Sequence, residues 1–317
     1  MKAIGLGILA SFFFAFTFVL NRWINLQGGS YLWSASLRYL FMLPLLVLLV
    51  AAKRQVRPLV DEMKSHPGTW LLWSHLGFGL FYVPLCYASV YSPAWLVAGT
   101  WQITVIVGPL LSLLTNRHKH NTLQLGVDHN TITYKEIGLS LWIVFGVAVM
   151  TFSQAGHVSM VELLRGFIPV LIASFAYPLG NRKMMMACEG RLNAYQRTLG
   201  MTITSLPLWL VLALIQWVHT GPPSGAQVAQ ALIVAVSSGV IATVLFFSAT
   251  DSARENPKHL ASVEATQAGE VFFTVLGEKW LLPGTLLTLW DSIGLCFVVL
   301  GMVLHSLSNP SKKISSP

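Results

Sequence analysis

The stretch VEATQAGEVFFTVLGEKW, residues 263–280, decides how this chain is read. It is mostly apolar, yet it carries Glu264, Gln267, Glu270 and Glu278. Its surroundings are apolar too: of 317 residues, 54% are hydrophobic and only 10% charged, with a mean hydropathy of +0.64. A soluble domain carries roughly 25% charged residues, so the composition specifies an integral membrane protein. The net charge of +8 is accordingly assigned to basic cytoplasmic loops rather than to nucleic-acid binding. Cys86, Cys188 and Cys296 lie far apart, without the spacing of a disulfide framework or a metal site.

A helix needs about 20 mostly apolar residues to cross the hydrocarbon core. Windows of that kind centre near residues 11, 43, 80, 105, 145, 173, 207, 240, 269 and 298, which predicts ten spans. The opening run MKAIGLGILASFFFAFTFVLNRW lacks a small-residue cleavage site and reads as a retained first helix, not a signal peptide. With the N-terminus inside, the inner segments hold Lys2, Lys53, Arg54, Arg57, Lys64, Arg117, Lys119, Lys135, Arg182, Lys183, Arg191, Arg254, Lys258, Lys312 and Lys313. Those fifteen stand against three outside, Arg22, Arg165 and Lys279. The bias predicts a multi-pass protein of the cell membrane with both termini cytoplasmic.

The two halves echo each other. Asn21-Arg22 returns as Asn181-Arg182, 160 residues on; Arg38 returns as Arg197, 159 on; Ile137-Gly138 returns as Ile293-Gly294, 156 on. The longer loop NRHKHNTLQLGVDHNTITYK after the fourth window accounts for the drift. The order predicts a five-helix repeat over 1–155, a second over 156–308 and a cytoplasmic tail over 309–317. Five spans is an odd number, so the second repeat is inverted relative to the first. Inverted repeats are a hallmark of secondary transporters, whose halves enclose a site near the midplane. A duplication retained only for packing is the alternative.

The N-terminal stretch FFFAFTFVLNRWINLQGGSYLWSASLRYLFMLP and the tail GLCFVVLGMVL resemble the ten-helix, EamA-like branch of the drug/metabolite transporter superfamily. Within it the chain is most similar to the multidrug-resistance efflux transporters. A Glu followed by Leu-Gly-Glu, the last residue fourteen positions on, is matched by Glu264 and Leu276-Gly277-Glu278. Two departures stand out. Ala265 replaces a frequent Pro, and the first half has Gln102 and Thr115-Asn116 where the pattern is acidic. The resemblance implies a central cavity lined by helices one, three, four, six, eight and nine, with five and ten outside. It also implies export of a small molecule, a cationic drug or amphipathic metabolite, in exchange for protons.

In a regular helix, Glu264, Gln267 and Glu270 form a slanting row, each three-residue step turning the helix by about −60°. A helix entering near Lys258 places Glu270 about 18 Å deep at 1.5 Å per residue, close to the midplane. A charge there costs about 3 kcal/mol on insertion scales, so such a residue faces a cavity or a partner. One reading has Glu270, Glu264 or both bind substrate and take up a proton; the other makes them structural hydrogen-bond or ion-pair partners. Gln102 sits opposite Glu264 in the repeat register. Trp101 and Tyr177 offer aromatic faces that attract organic cations, although packing is the plain role of an aromatic in so aromatic a chain. Arg38 and Arg197, near helix starts, either gate the cavity and attract an anion or snorkel to headgroups. Glu278 beside Lys279 reads as helix-end pairing, and Asp291 as solvated. Pro84, Pro109, Pro169 and Pro178 lie within spans, where they free backbone carbonyls.

The HKHN tract, His118 to Asn121, lacks acidic or Cys neighbours at ligand spacing and reads as a basic loop. There is no Walker A motif and no HExxH, so no cofactor, metal or ATP is implied. The expected partners are a small-molecule substrate, protons and membrane lipids, not nucleic acid; no oligomeric state is indicated. Rival readings are an uncoupled facilitative exporter of amino acids or related metabolites, and a lipid-modifying membrane enzyme or assembly factor. An enzyme needs convergent acid, base or nucleophile groups near one interface, and here such groups are scattered.

Overall fold

Apolar segments without water must satisfy their backbone groups internally, and helices do so within one segment. A computed structural model of the chain describes residues 2–104, 107, 134–155, 159–282 and 288–307, and among these the structure is helical, with no strand. The helices are α1 (Lys2–Leu26), α2 (Tyr31–Ala52), α3 (Val56–Ser65), α4 (Pro67–Tyr91), α5 (Ala94–Trp101), α6 (Tyr134–Ala155) and α7 (Met160–Cys188). They continue as α8 (Ala194–Thr220), α9 (Gly225–Ala253), α10 (Pro257–Ala265), α11 (Gly269–Leu281) and α12 (Leu289–Leu307). Six of them, α1, α2, α4, α7, α8 and α9, are long and apolar enough to cross a membrane. The chain is a multi-pass membrane protein. Pro109, Thr115-Asn116, the HKHN tract and the 309–317 tail lie outside the described residues.

Caps set the helix ends. Ser30 accepts from the Leu32 N–H to start α2, and Asn193 and Gln196 form a reciprocal capping box that starts α8. α8 stops at Gly221, whose φ of +80° suits a residue without Cβ. Pro84, Pro169 and Pro178 sit inside continuous helices. The irregular turns lie elsewhere. α4 widens into a π-turn at His75–Gly79 and α9 into another at Ala235–Ala242. Residues Thr266–Ala268 tighten into a 3-10 turn between α10 and α11.

In lipid, helices associate through small residues and interhelical hydrogen bonds, and both are present. α4 meets α7 where Gly77 faces Gly180: a methyl at Gly180 falls 2.4 Å from the Gly77 Cα. α6 and α12 pack on each other through Gly146 and Gly294, where a Cβ on Gly146 meets the Gly294 carbonyl at 2.7 Å. Buried amides tie α1, α2, α4 and α9 together. Gln230 donates to Asn21 Oδ1 at 2.9 Å, Asn21 donates to the Tyr82 hydroxyl at 3.3 Å, and Gln227 donates to Ser34 at 2.9 Å.

The short α3 lies across one end of the bundle, with Leu59 close over Gly200. Arg191 clamps it by donating to both Glu62 oxygens at 2.9 and 3.0 Å. Those hydrogen bonds hold the Glu62 carboxyl below the usual carboxylate range, with a further contribution from His66. The opposite end carries the α1–α2 turn, where the Ser30 N–H donates to Gln227 at the start of α9.

Two outcomes follow. Gly180→Ala drives one backbone against another and costs about 1–3 kcal/mol. Gly5→Ala, with nothing within 4 Å, is neutral or better; thermal unfolding in detergent measures both. In a cysteine-free background, Cys at Ser65 reacts with an impermeant thiol reagent only after permeabilisation, whereas Cys at Gly225 reacts in intact cells. The reversed pattern overturns the inward assignment of the α3 face.

Candidate functional site

The polar row of residues 263–280 does not run along one smooth helix. In a 3-10 turn, side chains three apart eclipse rather than slant, and Thr266–Ala268 is such a turn. Gln267 and Glu270 therefore share one wall, and both line a central cavity. That cavity is also bounded by Phe14, Thr17 and Phe18 from α1, Phe81 and Leu85 from α4, Trp101 from α5, Tyr177 from α7 and Ser238 from α9. These are the six windows that the resemblance assigns to a cavity, and among the described residues none from α6 or α12 lines it. About 10 Å³ is free inside, room for about one water molecule. At that volume the site holds no organic compound.

Glu270 is 1% exposed. The Trp101 indole is its hydrogen-bond partner, and its Oε2 finds none among the described residues. Trp101 and Tyr177 lie 5.6 Å apart centre to centre, and Phe81 stands 5.1 Å from Trp101 and 4.7 Å from Tyr177. An aromatic cage thus faces a carboxylate, and the Tyr177 hydroxyl has no hydrogen-bond partner among the described residues. Gln102, by contrast, is turned back on its own helix, donating to the Ala98 carbonyl at 3.0 Å, and does not line the cavity.

Glu264 stands apart from Glu270. Arg182 grips it with a fork, Nε to Oε1 at 2.9 Å and Nη2 to Oε2 at 2.6 Å, both side chains buried. Arg182, expected among the loop charges, lies inside α7, which runs on to Cys188. Buried charge needs a partner, and Arg182 supplies it.

Neither Arg38 nor Arg197 snorkels. Arg38 is 2% exposed, about two turns into α2, with its guanidinium 4.0 Å over the Tyr82 ring and Nη2 donating to Ser238 at 3.1 Å. Arg197 is 1% exposed, pairs with Asp251 at 2.5 Å and lies 4.6 Å over the Phe247 ring. Packing between neighbouring helices, not the interface, decides where these side chains go.

Two further expectations are corrected. Glu278 does not pair with Lys279; it is buried and accepts the Ala94 and Trp95 N–H groups at 3.1 and 2.9 Å. A carboxylate at the α5 N-terminus satisfies orphan donors and complements the helix dipole. Asp291 is not solvated: it is 0% exposed and accepts the Thr288 N–H at 2.7 Å as a helix cap. Sequence reasoning missed Thr17 and Ser238, which face each other across the cavity wall at 2.5 Å. The available signal was a hydroxyl within each apolar span.

A second, larger groove of about 420 Å³ lies between Phe12, Phe16, Ile233, Phe273 and Trp280. It has no titratable lining, as a lipid-facing surface should.

Comparison with known proteins identifies the family and the fold. A family model described as "Putative multidrug resistance efflux transporter" and named EmrE matches residues 1–311. The "Uncharacterized protein YjlA" of Bacillus subtilis (strain 168) is 49% identical over 313 residues, 99% of this chain and 97% of that relative. An "Uncharacterized 42.1 kDa protein in intracellular alkaline protease 3'region" of Shouchella clausii is 47% identical over 272 residues, 85% of this chain and 70% of that one. A crystal structure with 12% sequence identity aligns over 100% of this chain and 99% of its own with a TM-score of 0.66, showing the same fold. With nearly its whole length matched by the family model, the chain belongs to the EmrE family of multidrug resistance efflux transporters, within the drug/metabolite transporter superfamily.

Proposed function

We propose that this protein is a secondary active exporter of small organic compounds, cationic drugs or amphipathic metabolites, that exchanges substrate for protons at Glu270. The observation that carries the reading is a buried carboxylate with one unpartnered oxygen, set among aromatic rings in a cavity walled by six helical segments. An intramembrane carboxylate facing a cavity is a functional-site candidate by default. Aromatic faces add attraction for an organic cation. Glu264 is engaged by Arg182, and Glu278 by α5. That leaves Glu270 free to trade a proton for a substrate.

Ten spans arranged as two inverted EamA-like repeats, in a plasma-membrane protein with both termini cytoplasmic, complete the proposal. Support for the repeat comes from the two π-turns, which begin at His75 and Ala235, the same spacing of 160 that separates Asn21 from Asn181. π-turns interrupt helices at functional sites. The 10 Å³ cavity admits no organic compound until the helices part, as a rocking mechanism requires. Gln102, neutral where the first half would match Glu264, favours the second reading, an uncoupled facilitator.

Two substitutions separate these readings. Glu270→Gln keeps shape but cannot exchange a proton; in proteoliposomes it should fold normally and lose pH-gradient-driven accumulation of organic cations. Full retention of gradient-driven transport sinks antiport through this helix and leaves the facilitator. Glu264→Gln should instead lower thermal stability by about 3 kcal/mol, because it strips a buried guanidinium of its carboxylate. Equal melting temperatures for Glu264→Gln and wild type would make the Arg182 pair dispensable to the fold.

A further inference from the structure

Glu270 is not the only unanswered charge at the centre of the molecule. Arg38 is as deeply buried, and its Nε and Nη1 find no hydrogen-bond partner among the described residues. The buried arginine–carboxylate pairs that are described belong to others, Arg182 with Glu264 and Arg197 with Asp251. Among the described residues Arg38 makes one side-chain hydrogen bond, from Nη2 to the Ser238 hydroxyl. Ser238 is itself part of the cavity wall, opposite Thr17. The Tyr82 and Tyr39 rings, 4.0 and 5.3 Å from the guanidinium, hold it in place without neutralising it.

A buried guanidinium with free donors is costly, since charge taken from water must be paired and hydrogen-bonded. Its planar fork matches a carboxylate bidentately. The cavity wall therefore holds a carboxylate with a free oxygen, and directly behind Ser238 of that wall stands a guanidinium with free N–H groups. The two do not pair with each other.

Resting on the exporter reading, we propose that the transported compound is amphoteric: its ammonium group meets Glu270 and the aromatic cage, and its carboxylate meets Arg38 and Ser238. A simple cation satisfies only one of the two charges. An amphoteric compound satisfies both at once, with its apolar part against Phe14, Phe18 and Phe81.

The test uses purified full-length protein and matched trios: an aromatic or aliphatic amino acid, its decarboxylated amine and its deaminated acid. Binding is read as ligand-induced thermal stabilisation and titrated to a Kd. In at least one trio the amphoteric member should bind wild type about tenfold tighter than either stripped relative, the scale of one charge-assisted contact. Arg38→Gln should bring the amphoteric compound down to the level of its amine and leave the amine unchanged. Ser238→Ala, which keeps the charge but frees its anchor, should weaken the amphoteric member selectively as well. The wild-type ranking decides the question even if Arg38→Gln does not fold. If amines bind as well as their amphoteric parents in every trio, or if Arg38→Gln weakens both equally, the carboxylate assignment is overturned. Proton-driven transport of the amines in proteoliposomes is then measured separately: its presence keeps the exporter reading, and its loss removes that as well.

Discussion

A carboxylate or guanidinium taken out of water must find a partner, and much of this bundle is arranged around that demand. Glu264 is forked by Arg182, Arg197 donates to Asp251 through Nη1, and Glu278 accepts two N–H groups at the start of α5. Each of these contacts joins segments distant in sequence. Charge compensation therefore selects which helices become neighbours, while apolar packing alone, in lipid, offers little preference between them. Glu270 and Arg38 keep free polar atoms and, among the described residues, have no ion-pair partner, whereas Arg197, which also keeps free N–H groups, has Asp251. Glu270 lines the cavity and Arg38 is hydrogen-bonded to its wall at Ser238, which makes the two informative together.

Close helix approach depends on residues with no side chain in the way. Gly77 against Gly180 and Gly146 against Gly294 allow backbone contact that a methyl group would forbid. The first pair lies at the π-turn of α4, so the tightest crossing and an irregular turn coincide. A π-turn or 3-10 turn leaves backbone hydrogen bonds less regular than an α-helix does, and such a turn is a place where a helix bends at low cost. Three of these turns lie in α4, α9 and between α10 and α11, all of which contribute to the cavity. A site that holds about one water molecule when closed needs walls that are able to shift, and these are the walls so equipped.

The amino-acid sequence by itself determined the class of protein, most of the helices and the importance of residues 263–280, because hydropathy acts locally: each apolar run must become a helix in lipid whatever surrounds it. Its resemblance to drug/metabolite transporters also pointed to the six segments that wall the cavity. Trp101, Tyr177, Gln267 and Glu270 were recognisable as polar or amphipathic groups in apolar surroundings. Only the tertiary structure decided what each charge does. Glu264 and Glu270 look alike on a helical wheel, yet a 3-10 turn and the arrival of Arg182 from another helix separate them. Arg38 and Arg197 look like interfacial residues until neighbouring helices close over them. Asp291 looks solvated until it is seen capping its own helix. For the arginine–carboxylate pairs, partner choice is set by contacts between distant segments, 82 residues apart for Arg182 with Glu264 and 54 for Arg197 with Asp251, and local pattern carries no information at that range.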